Sequence, residues 1–161
     1  MSFPAMGYDL TLSERSIEDL FFHFPYLVDP RFRVRDIDSR QETLNDGTRV
    51  DMVVRCQDTL FIIELKKGDI NTADLQQLVH YLREADKKWN KNLRKEGLLF
   101  GLGIRDRSQI DTSIAASGFR ISIKLYGRDV PTSVKFCRRC RKAVSTAKSE
   151  CPWCGAQEFI Y

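Results

Sequence analysis

Apolar residues recur along the chain with two periods, and each period predicts a different kind of element. From Ser13 to Phe24 they recur at helical intervals, with Thr11 and Glu14 at the spacing of a capping box. Elsewhere, short alternating or continuous apolar runs predict strands. The predicted order is α-β-β-β-α-β-α-β, with elements at 13–24, 32–37, 50–55, 60–66, 75–89, 98–104, 108–117 and 119–126.

The two strongest β segments, 50–55 and 60–66, predict a β-hairpin because only a short connection separates them. A two-residue loop at 57–58 places Asp51 directly opposite Glu64, and a four-residue loop gives the same pairing. An odd loop would not. The residues at 57–58 are poor for a type I′ turn, so the loop type stays open.

The predicted pairing has chemical consequences. Opposed carboxylates disfavour each other's ionisation, and a divalent cation between Asp51 and Glu64 removes that conflict. Lys66 shares the face of Glu64, and the same register places Arg49 opposite Lys66. This set suits phosphodiester hydrolysis, with the metal lowering the pKa of a bound water and Lys66 contacting the developing negative charge. The apolar sequence around Glu64 favours this interpretation over an ordinary surface Glu–Lys pair.

Three blocks in order, at 47–51, 61–66 and 76–82, resemble the PD-(D/E)XK nuclease superfamily, and within it the NucS/EndoMS branch of DNA endonucleases. The similarity covers roughly residues 13 to 126. It implies an α/β fold of the restriction-endonuclease type, in which a mixed sheet is flanked by helices. The cysteine-rich tail adds a small C-terminal zinc ribbon to that expectation.

The resemblance also implies roles for individual residues. Asp51 and Glu64 would bind Mg²⁺ or Mn²⁺, and Lys66 would be the catalytic lysine. Gln77 and Tyr81 match helix positions that support the site, and as an i, i+4 pair they project from one helix face.

The family carries a further acidic residue on the first helix. Glu18 fits this position best, with Glu14 one turn earlier as the alternative, although Glu18 could equally be a solvated helix charge. NucS-type enzymes also have a separate N-terminal domain that contributes to dimerisation and DNA binding, for which we expect no room here. Mismatch specificity is therefore not carried over.

Two Cys-x-x-Cys pairs form the tail motif, Cys137 with Cys140 and Cys151 with Cys154. Four thiolates in this pattern suit tetrahedral Zn²⁺, and structural zinc is favoured over redox dithiols in a reducing compartment. We predict a nuclease domain at 1–128, a linker at 129–134 and a zinc ribbon at 135–161.

Charge placement suggests where nucleic acid would bind. The net charge is +4, and the segment from Lys135 onward holds six basic residues against two acidic ones. Basic patches are candidates for phosphate contact, although a solvated face is the alternative. The ribbon could bind DNA or a protein partner. The candidate DNA-contacting residues are Arg49, Lys67, Lys87, Lys88, Arg138 and Arg139.

The sequence has no apolar run of about 20 residues, the length that a membrane span needs, and no signal segment. We therefore expect a cytoplasmic protein without membrane contact.

The first hypothesis for the function is a metal-dependent DNA endonuclease in repair, restriction or phage defence. The second is a non-catalytic adaptor that retains the nuclease fold and binds nucleic acid or protein. Intact Asp51, Glu64 and Lys66 argue against the second. A homodimer stays open, since cleavage of both strands would suggest one.

Overall fold

A computed structural model describes residues 13–131 and 133–160. The predicted order of elements is confirmed. The helices are α1 (Glu14–His23), α2 (Thr72–Lys88) and α3 (Arg107–Ser117). The strands are β1 (Ile37–Thr43), β2 (Arg49–Cys56), β3 (Thr59–Leu65), β4 (Arg94–Gly101), β5 (Arg120–Leu125), β6 (Val134–Cys137), β7 (Ala143–Ser145) and β8 (Phe159–Ile160). No helix in the described ranges is long and apolar enough to cross a membrane.

The main sheet has five strands in the order β1-β2-β3-β4-β5. Strands β1 to β3 are antiparallel neighbours, whereas β3, β4 and β5 run parallel. Helices α2 and α3 make the two crossovers that parallel neighbours require. The sheet is therefore mixed, as the sequence predicted.

Apolar side chains pack on both faces of this sheet. Leu20 and Phe21 of α1 are buried against one face, and Leu78 and Leu82 of α2 against the other. Every residue of β3 is buried. Glu64 is therefore a carboxylate in the central, most enclosed strand.

The N-terminal region departs from the prediction in detail. Ser13 caps α1 by accepting a hydrogen bond from Ser16 N, while Thr11, the predicted cap, lies outside the described residues. The predicted strand at 32–37 is wrong, because β1 begins at Ile37. Phe32 is instead fully buried in edge contact with Phe61, and a short 3-10 turn leads from it into a polar edge strand.

The predicted strand at 98–104 begins four residues earlier, at Arg94, and ends at Gly101. Arg94 and Lys95, which precede the predicted strand, are therefore part of the sheet. Lys95 is buried, and its Nζ donates to Asn90 O at 2.7 Å. At Gly101 an added Cβ would lie 2.6 Å from the side-chain atom Ile70 Cγ1 and 2.9 Å from the backbone oxygen of Gly68, so this close approach requires glycine.

The cysteine-rich tail folds as a three-stranded sheet that packs against the region after α1. Ala143 N donates a 2.6 Å hydrogen bond to Tyr26 Oη, and the Tyr26 ring meets Trp153 edge-on. Val134 and Ala143 are part of the same apolar core as α1, and Val130 just before them is also buried there. The division of the chain at 129–134 stays a prediction, with the two parts in direct contact.

Candidate active site

The hairpin register places the two predicted acids together. Cys56 pairs with Thr59 and Met52 with Ile63, which is the register of a two-residue loop. The ladder ends there, one position before Asp51. Beyond this point the Asp51 side chain replaces a backbone acceptor, because Asp51 Oδ2 accepts a 2.8 Å hydrogen bond from Leu65 N.

Glu64 has a carboxylate that is only partly satisfied. The residue is 5% exposed, and its Oε2 is buried with no hydrogen-bond partner in the described ranges. Burial raises the pKa of Glu64 to about 8, and the nearby charge of Asp51 adds to this rise. Burial also raises the pKa of Asp51. Two enclosed carboxylates of this kind fit a divalent cation, which would stabilise both in their charged form.

Lys66 provides the positive charge beside this pair. Its Nζ lies 3.4 Å from Glu64 Oε1 and donates to Gln77 Oε1 at 2.9 Å. The Gln77 amide in turn donates to Tyr81 Oη at 2.6 Å. The structure therefore brings five of the predicted residues, Asp51, Glu64, Lys66, Gln77 and Tyr81, into one connected site.

Helix α1 reaches the same site through Gln41. Glu18 is buried, and its Oε2 accepts from Gln41 Nε2 at 2.9 Å, while the same nitrogen lies 3.3 Å from Asp51 Oδ1. The other oxygen of Glu18 accepts from Arg40 Nε at 2.9 Å. Glu18 is thus an enclosed, paired carboxylate rather than a solvated helix charge.

The alternative acid, Glu14, also lies at the site. Its Oε1 accepts from Lys67 N at 3.0 Å, next to Lys66, the predicted catalytic lysine. It lines an open pocket of about 550 Å³ together with Glu18 and Asp51.

Sequence reasoning missed Arg40, Gln41 and Tyr126. The first two lie in the polar edge strand β1, where no apolar period marks them. Gln41 has a positive φ of 50°, a strained conformation of the kind that concentrates at functional sites. Tyr126 directly follows β5 and has a buried hydroxyl with no hydrogen-bond partner among the described residues. Burial raises its pKa, with smaller contributions from the charges of Glu14 and Asp51.

Several predicted DNA-contacting residues lie elsewhere. The β2–β3 ladder ends at Met52 and Ile63, so it does not include the predicted pairing of Arg49 with Lys66; on its other side Arg49 pairs with Thr43 of β1. Lys87 and Lys88 form ion pairs with Glu84 and Glu42, respectively. Lys67 is exposed beside the site. Arg138 and Arg139 line a second open pocket, of about 650 Å³, at the ribbon.

The four tail cysteines converge on one point. Cys137 and Cys154 have their sulfurs 3.6 Å apart, as do Cys140 and Cys151, and all four lie within 4.8 Å of one another. Sulfurs that share a tetrahedral Zn²⁺ with bonds of about 2.3 Å lie slightly under 4 Å apart. The donor set and its spacing therefore fit the predicted zinc site.

The fold and this arrangement define the restriction-endonuclease-like α/β class. The structure of EndoMS with double-stranded DNA superposes with a TM-score of 0.58 at 17% identity, covering 78% of this chain and 48% of that one. A repair endonuclease from Pyrococcus abyssi gives a TM-score of 0.57 at 18% identity, covering 70% of this chain and 47% of that one. EndoMS in its apo form gives 0.54 at 18% identity, over 70% and 46%.

No family model and no curated protein matches the sequence. The structural likeness shows that the chain has the fold of the EndoMS nucleases, as the resemblance of the motifs predicted. The chain spans about half the length of those solved structures.

Proposed function

We propose that this protein is a metal-dependent endonuclease that hydrolyses phosphodiester bonds in DNA. The observation that carries the proposal is the unpartnered Oε2 of Glu64, buried beside Asp51 and next to Lys66. A buried carboxylate oxygen without a donor is costly unless a cation binds it. The similarity of the fold to EndoMS, whose structure contains double-stranded DNA, supports DNA as the substrate.

Each residue of the site would have its own role in the reaction. Asp51 and Glu64 would hold Mg²⁺ or Mn²⁺, which when bound supplies positive charge to the scissile phosphate and lowers the pKa of an attacking water. Lys66 would contact the negative charge that develops on the phosphate. Gln77 holds the Lys66 ammonium in place, and Tyr81 holds the Gln77 amide.

Glu18 and the ribbon would have supporting roles. Glu18 would orient the Asp51 carboxylate, because it holds Gln41, whose amide also contacts Asp51. Zn²⁺ bound by the four cysteines would stabilise the ribbon, where Arg138 and Arg139 would contact the phosphate backbone of DNA. The biological context we propose is DNA repair, restriction or phage defence.

A cleavage assay tests this function. Labelled duplex, mismatched, flap and single-stranded DNA would be incubated with Mg²⁺, Mn²⁺ or no added divalent ion. We expect metal-dependent cleavage by the wild type that Lys66→Ala abolishes. Lys91→Ala, which removes an exposed lysine outside the three motif blocks, is the matched control and should cleave normally. DNA binding without cleavage by the wild type would instead indicate the adaptor function.

A further inference from the structure

A second group of metal-ligating side chains lies between α2 and the turn that precedes β2, and it includes neither Asp51 nor Glu64. It consists of Asp46, in the turn between β1 and β2, and His80 and Glu84 on the helix. One nitrogen or oxygen atom of each residue lies within 4.8 Å of those of the other two. The sequence offered no sign of this group, because 34 residues separate Asp46 from His80.

The backbone brings the side chains of Asp46, His80 and Glu84 close together. His80 and Glu84 are an i, i+4 pair, so they project from the same face of α2. Asp46 Oδ1 is held by Thr48 N at 3.0 Å, which leaves Oδ2 facing His80 Nε2 at 2.5 Å. Ligand atoms on an ion with bonds of 2.0–2.2 Å lie about 3–4 Å apart, so side-chain shifts of about 1 Å would complete the site.

Glu84 is the unusual member of the group. It is 7% exposed, which is rare for a carboxylate without a buried cation beside it. Its Oε1 accepts from Lys87 Nζ at 2.7 Å, but the Lys87 side chain is 65% exposed. An ion pair with so exposed a lysine contributes little stabilisation and is readily exchanged.

We propose that Asp46, His80 and Glu84 form a second metal site, which takes a divalent transition-metal ion such as Zn²⁺. One imidazole and two carboxylates favour such an ion over Mg²⁺ or Ca²⁺, which prefer oxygen ligands alone. The bound ion would tie α2 to the β1–β2 turn. The proposal is independent of the nuclease function, since none of the three residues belongs to the catalytic pair.

Metal titration tests the proposal in a background that lacks the catalytic pair. The protein is the full chain with Asp51→Asn and Glu64→Gln, used with the metal that it retains on purification. It would be titrated with Zn²⁺ by calorimetry, and its bound zinc would be counted by elemental analysis. We expect one further equivalent of Zn²⁺ per chain. His80→Ala and Glu84→Gln should each weaken this binding by more than about tenfold, which is the loss expected for a residue that only holds a metal ligand in place.

Two matched variants make the result specific. His23→Ala removes the other histidine, which is exposed on α1, and should leave the further equivalent unchanged. Lys87→Ala removes the cation that competes for Glu84 and should bind Zn²⁺ at least as tightly. Absence of a further equivalent in the background protein, or binding that His80→Ala does not weaken, would overturn the proposal.

Discussion

Asp51 closes the end of the β2–β3 ladder, because its Oδ2 accepts a 2.8 Å hydrogen bond from the buried N–H of Leu65. The bond fixes one oxygen of the carboxylate within the sheet. The other oxygen points toward Gln41 at the longer distance of 3.3 Å. One oxygen of Asp51 therefore has a structural role in the sheet, and the other would be left for the metal ion that we propose.

This division predicts different outcomes for two substitutions of Asp51. Asparagine keeps a carbonyl oxygen for Leu65 N, so Asp51→Asn should fold with nearly wild-type stability. Alanine leaves that buried N–H without an acceptor and should lower the free energy of unfolding by about 1–3 kcal/mol. Urea unfolding compares the two. Both variants should lose about a hundredfold or more in cleavage rate, as when a group that stabilises transition-state charge is removed. Equal stability of the two would contradict the assigned hydrogen bond.

The raised pKa of Glu64 predicts a specific pH dependence of stability. In the folded protein Glu64 keeps its proton up to a pKa of about 8, whereas in the unfolded chain it loses the proton near the ordinary glutamate pKa of 4.5. The folded state therefore binds more protons over this range, so its stability falls as pH rises from 4.5 to 8. Urea unfolding without Mg²⁺, compared with Glu64→Gln, isolates this contribution.

Glu64→Gln should lack the fall in stability, and saturating Mg²⁺ should reduce it in the wild type, because the cation binds the ionised form. No chelator should be used, because it would also remove the zinc that we propose for the ribbon. A wild-type profile that matches Glu64→Gln throughout would mean that the pKa of Glu64 is ordinary.

Gln77 should act on catalysis through Lys66. Gln77→Ala removes the 2.9 Å partner of Lys66 Nζ and should lower kcat by about tenfold, with a smaller change in KM, since the lysine would lose its orientation toward the transition state. Gln76→Ala is the matched control, because Gln76 is an exposed neighbour on the same helix. An equal effect of the two substitutions would assign the loss to α2 in general.

Loss of the ribbon should destabilise the main α/β part of the chain without abolishing its fold. Cys151→Ser should unfold the tail and expose Val134 and Ala143, which pack with α1, and so lower the stability of the rest by about 1–3 kcal/mol. Activity on short DNA should survive.

The chain's two tryptophans report on the two parts separately. Trp89 follows α2 and Trp153 lies in the ribbon, so single-tryptophan variants followed by fluorescence distinguish their unfolding. Unfolding of both parts on zinc removal would contradict the predicted division at 129–134.

The hairpin register could be predicted from the sequence, because any even loop between the two strands places Asp51 opposite Glu64. The apolar stripe of α2 could also be predicted, and with it the position of Gln77 and Tyr81 on one face of the helix. The sequence does not reveal Gln41, because β1 is a polar edge strand whose position depends on pairing with β2. The burial of Lys95 was missed for a related reason, since its partners lie in the loop before β4 and at the end of α2.

The most direct test of the account is the position of a metal ion in crystals soaked with Mn²⁺. Anomalous scattering locates Mn²⁺ without reference to activity. We predict a peak bound by Glu64 Oε2 and a carboxylate oxygen of Asp51, and its absence in Glu64→Gln crystals. A well-ordered site with no peak between these two carboxylates at millimolar Mn²⁺ would contradict the proposed chemistry.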